Sequence, residues 1–90
     1  MAKWLSKLTK SHSSRAAVAD LLERFLNLGT TAWEWDDFVS VPQSDPLLEE
    51  IRTACLKVRQ DYPAGAIGAW CSSEGIEEMR KITVRLRSSV

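Results

Sequence analysis

Only two of the 90 residues are cysteine and one is histidine. Cys55, Cys71 and His12 stand at unrelated spacings, which excludes a zinc set, and no metal or other cofactor is expected. Glycine numbers four and proline three, and no glycine loop of the phosphate-cradling kind occurs. Long apolar runs are missing too, so no membrane span is predicted. The opening MAKWLSKLTKSHS carries lysines but lacks the run of about seven apolar residues that a secretory leader needs. The default expectation is therefore a cytoplasmic protein whose two cysteines are free thiols, because the cytosol is reducing.

Net charge is absent as well, with twelve basic and twelve acidic side chains, but the signs are segregated. Residues 1–15 carry four bases and no acid, residues 16–50 one base against eight acids, and residues 51–90 seven bases against four acids. The surface potential should be polarised, and the acidic middle argues against contact of that part with nucleic acid.

What is present is ordinary globular material: 44% hydrophobic and 27% charged residues. A chain of this length folds around one core and buries roughly 60 to 65% of its unfolded surface. Residues 1–12 read as a basic N-terminus, with Trp4, Leu5 and Leu8 among lysines, forming either a short amphipathic turn or a mobile, loosely docked end. Residues 13–88 read as a single helical domain.

Three main helices are predicted. In the first, Ser13 or Ser14 caps the start and Val18, Leu21, Leu22, Phe25 and Leu28 recur at helical spacing. Gly29 suits the ending, and Asp20 and Arg24 form an i,i+4 pair. The second begins at SDPLLEEI, with Asp45 as cap and Pro46 in the first turn. Its inner stripe is Leu48, Ile51, Cys55 and Val58, with Leu47 and Ala54 beside it, and Pro63 stops it. AGAIGAW, residues 64–70, reads as a loop that tucks Ile67 and Trp70 inward. The third starts near Ser72 or Ser73 and carries Ile76, Met79, Thr83 and Leu86 at helical spacing, with Ile82 widening the apolar face. Its charges run from acidic to basic, as the helix dipole prefers. The predicted fold class is all-α, a small bundle of three main helices with a short extra helix or ordered loop at the Trp-rich segment.

That segment, WEWDDF at 33–38, crowds three aromatics and three carboxylates together. Thr31 and Glu34 stand in a capping-box relation. On the resulting helix Ala32, Trp35, Phe38 and Val39 share a face, while Trp33 and Asp37 are i,i+4 neighbours. Burying one such aromatic is worth about 4 to 6 kcal/mol as an upper bound, against a whole stability of roughly 5 to 10 kcal/mol. At least one tryptophan is needed for the core, and Trp35 is assigned that role. Trp33 is left as the candidate contact with a partner.

The segment WEWDDF, followed by DPLLEEIRTACL and a closing helix that opens SSEGIEEMRK, resembles a group of small uncharacterised bacterial proteins over residues 30 to 85. The resemblance implies a bacterial source and no known activity, and it brings no catalytic residues.

The leading functional expectation is a protein-interaction or regulatory module. It would set the acidic surface of Trp33, Glu34, Asp36 and Asp37 against a basic partner protein. The alternative is nucleic-acid binding through Arg80, Lys81, Arg85 and Arg87. It is the weaker of the two, because the ten or so residues between the second and third helices are too many for a helix-turn-helix. Catalysis stands last. Adjacent Asp36 and Asp37 point in different directions, and Cys71 would need the start of the third helix to lower its pKa. No enzyme is expected. A bundle this small can also form a homodimer through an incompletely covered face.

Overall fold

A computed structural model describes residues 12–27, 32–65 and 69–90. Four helices are found among them: α1 (Arg15–Leu26), α2 (Ala32–Ser40), α3 (Pro46–Asp61) and α4 (Ser73–Arg87). The fold is all-α, a small bundle of three main helices, and the Trp-rich segment forms the short extra helix rather than an ordered loop. The expectations placed on residues 1–11, Leu28, Gly29, Thr31 and Ile67 lie outside the described residues.

Local chemistry fixes where each main helix starts. The Ser14 hydroxyl accepts the Ala17 N–H at 3.0 Å, the Asp45 carboxylate that of Leu47 at 2.9 Å, and the Ser72 hydroxyl that of Gly75 at 3.3 Å. Each thereby satisfies an amide that has no partner within its helix. Pro46 follows its cap at a position where a missing N–H costs nothing. At the other end of α3, Tyr62 closes the helix on the Val58 carbonyl, just before Pro63. The Tyr62 carbonyl then accepts the Ser72 N–H at 2.9 Å, drawing the start of α4 back to the end of α3.

The helix α4 packs against both α1 and α3, while α2 bridges α1 and α3 more lightly. The core follows from one stripe per helix: Val18, Ala19, Leu21 and Leu22 of α1, Leu48, Ile51, Cys55 and Val58 of α3, and Met79, Thr83 and Leu86 of α4. Thr83 is accommodated because its hydroxyl donates to the Met79 carbonyl at 2.8 Å. Gly75 leaves room for its surroundings at the start of α4, since a Cβ there would lie 2.8 Å from Cys71 Sγ and 2.9 Å from Tyr62 Cβ.

One sequence expectation is corrected. Asp20 and Arg24 do not pair along α1: Arg87 of α4 reaches both Asp20, at 2.8 Å, and Glu23, while Arg24 pairs with Glu34 of α2 at 3.1 Å. The i,i+4 spacing permits a local pair worth only a few tenths of a kcal/mol, so neighbouring helices readily claim both partners.

Candidate functional site

The helix α2 has one face in the core and the other in solvent. Trp35 is 4% exposed. It stacks on Phe25 with ring centroids 4.1 Å apart and meets Trp70 edge-on at 5.4 Å and Phe38 at 5.8 Å. Trp70 is therefore tucked inward as its loop predicted, and the Arg59 guanidinium lies 4.4 Å above its ring. Phe38 and Val39 complete the buried face of α2.

Trp33, two positions before Trp35, points the other way and is 71% exposed. Asp36 and Asp37 are exposed beside it, and neither has an ion-pair partner among the described residues. Glu34 differs from them, being half-buried and held by Arg24. A cleft of about 240 Å³ runs between α1 and α2. Ala17, Val18, Leu21, Phe38 and the Trp33 ring supply its apolar lining, and Ser13, Glu34, Asp37 and Gln43 its polar lining. Three of the four residues assigned to a partner surface thus meet at this cleft, and Asp36 stands outside its lining.

Gln43 is the member that sequence reasoning missed. It is only 3% exposed, and its side-chain oxygen is buried with no hydrogen-bond partner. The backbone is held firmly: its N–H donates to Glu49 Oε1 at 2.9 Å. Glu49 is in turn gripped by Arg52, from Nε at 2.9 Å and Nη2 at 2.7 Å, while Arg52 Nη1 donates to the Val39 carbonyl at 2.8 Å. One arginine on α3 therefore fixes both the end of α2 and the link that carries Gln43. Only the short spacing of Glu49 and Arg52 is visible in the sequence.

The alternative set behaves differently. Arg80 pairs with Glu77 at 3.0 Å, Lys81 with Glu78 at 2.9 Å and Arg85 with Glu50 at 2.7 Å, and Arg87 pairs with Asp20 and Glu23. All four cations have carboxylate neighbours, which lowers the positive potential a phosphate backbone would meet. The contact with Glu78 raises the Lys81 ammonium above its ordinary value.

The thiols are of the inert kind. Both cysteines are buried and free. Burial, then the neighbouring Cys71, pushes Cys55 up to about 12. Burial also raises Cys71, the reverse of the activation by a helix start that a reactive thiol would need. Among the described residues no group of histidine, cysteine and carboxylate side chains could hold a metal ion. No helix there is long and apolar enough to cross a membrane. The chain matches no family model, no curated protein and no solved structure.

Proposed function

We propose that this is a protein-interaction module that meets a partner protein through Trp33, Glu34, Asp36 and Asp37. The supporting observation is the division of labour on α2: Trp35 is consumed by the core while Trp33 stays 71% exposed beside two carboxylates without ion-pair partners among the described residues. An exposed indole adds nothing to the core, yet tryptophan is among the residues that contribute most when an interface closes over them. The flanking carboxylates would steer a basic partner and disfavour acidic ones.

The experiment is affinity capture from lysate of the source cell with wild type, Trp33→Ala and Asp37→Ala as baits, each checked for folding by circular dichroism. The expected result is a stoichiometric protein that the wild type retains and both folded variants lose. Identical captures by all three folded baits would remove this surface from consideration.

A further inference from the structure

We propose that the cleft beside Trp33 receives a single arginine side chain of the partner polypeptide, an inference that rests on the interaction reading above. Scale comes first. About 240 Å³ falls below the roughly 300 to 1,000 Å³ of sites that enclose a cofactor or drug-sized molecule. One long side chain is the size of occupant that the cleft accommodates.

Chemistry narrows the choice. Asp37 and Glu34 line the cleft with carboxylates, which only accept hydrogen bonds when ionised. Gln43 is an independent sign, because it is 97% buried on that lining and its carboxamide oxygen has no donor. Buried acceptors without a partner are rare in native proteins, and each marks a place where an N–H or water belongs. The 71% exposed ring of Trp33 offers a face to a cation. A guanidinium meets these demands together: its planar fork of five N–H groups can bind the Asp37 carboxylate while its plane stacks on an indole, and a turn of the Gln43 side chain would bring its enclosed oxygen to a remaining N–H. An ammonium is compact and strongly hydrated and stacks less well. The positive charge also complements the face: Asp36 and Asp37 have no cation beside them among the described residues, whereas Glu34 is already matched by Arg24.

The experiment is a titration of the ¹⁵N-labelled full chain with N-acetyl-arginine amide, N-acetyl-lysine amide and N-acetyl-citrulline amide. It follows the Trp33 indole and Gln43 side-chain amide signals. Saturable shifts are expected with the arginine amide at a Kd on the order of 1 mM, with binding about tenfold weaker for lysine and none for uncharged citrulline. Asp37→Asn, which keeps the side-chain shape, should weaken arginine binding at least about fivefold, and so should Trp33→Ala. Should Trp33→Ala lose its fold, the Asp37→Asn comparison decides. Shifts equal for citrulline, a preference for lysine, or arginine binding untouched by Asp37→Asn would each overturn the assignment. The same signals moving with protein concentration alone would place a second copy in the cleft and overturn it too. Partner capture that is lost in Asp37→Ala, from a protein that ignores the arginine amide, would leave the interaction surface standing and remove only the arginine anchor.

Discussion

Arg15 and Asp45 clasp the start of α1 to the start of α3 through two parallel hydrogen bonds, Nε to Oδ2 at 2.7 Å and Nη2 to Oδ1 at 3.1 Å. Asp45 works twice, since the same Oδ1 accepts the Leu47 N–H and caps α3. Arg15 first, and then the backbone N–H of Leu47, hold the Asp45 carboxyl below its ordinary value against the opposing effect of desolvation. A carboxyl depressed by folding binds fewer protons in the folded chain than in the unfolded one, so its contribution is complete above the unfolded value. It is lost as pH falls through the folded one. Melting temperatures of wild type and Asp45→Asn should therefore differ by their full amount near neutrality and draw together only as the pH falls below the ordinary carboxylate range, through the folded value of Asp45. Arg15→Ala should cost less than Asp45→Ala, because it spares the cap.

The two tryptophans of α2 should respond in opposite ways to truncation. Trp35→Ala removes the ring stacked on Phe25 and packed against Trp70, and a loss of about 3 to 5 kcal/mol is expected in urea unfolding. Trp33→Ala touches an exposed side chain and should stay within about 0.5 kcal/mol of wild type. A large loss at Trp33 would show that it closes the core after all.

Gly75→Ala sets helix propensity against space. Alanine gains about 1 kcal/mol over glycine within a helix. The new methyl would lie within 3 Å of Cys71 and Tyr62, and overpacking of that kind costs about 1 to 3 kcal/mol. The net effect expected is a lower melting temperature, and an increase would mean that the end of α3 yields easily.

Arg52→Lys keeps the charge and loses the fork that joins Glu49 to the Val39 carbonyl. An ammonium has three N–H donors but presents them from one nitrogen, and it cannot span acceptors that the guanidinium meets from three, so about 1 to 3 kcal/mol should be lost in the same urea assay. The Gln43 side-chain amide signal should shift as its support loosens.

Cys55 and Cys71 should resist an aromatic disulfide reagent in the folded protein at neutral pH and react together once the chain is unfolded. Burial raises both thiols, Cys55 up to about 12, so little thiolate exists to attack. Fast labelling of one thiol in the native state would contradict the inert assignment.

Much of the architecture was legible because each helix writes its inner face locally. Leu48, Ile51, Cys55 and Val58 are buried where their spacing predicts, and the caps Ser14, Asp45 and Ser72 lie where their residue types suggest. The split between Trp35 and Trp33 follows from the same periodicity. What could not be read depends on how helices meet. Arg87 finds Asp20 across 67 positions, and Arg15 finds Asp45 across 30. Gln43, polar and in a link between helices, carries no periodic mark of its burial. The need for a glycine at position 75 arises only once Tyr62 and Cys71 are packed against it.

The position of α4 has a bearing on how the chain acquires its structure. The helix α1 rests chiefly on α4, although its contacts there come from sequence far downstream. Closing so long a loop costs entropy before any contact rewards it, and such topologies fold more slowly than bundles of sequence neighbours. During synthesis α1 must wait for nearly all of the domain before its main seat exists. Until then the apolar stripe of Val18, Leu21 and Leu22 has only the lighter cover of α2, and that interval is when the nascent chain is most exposed to aggregation.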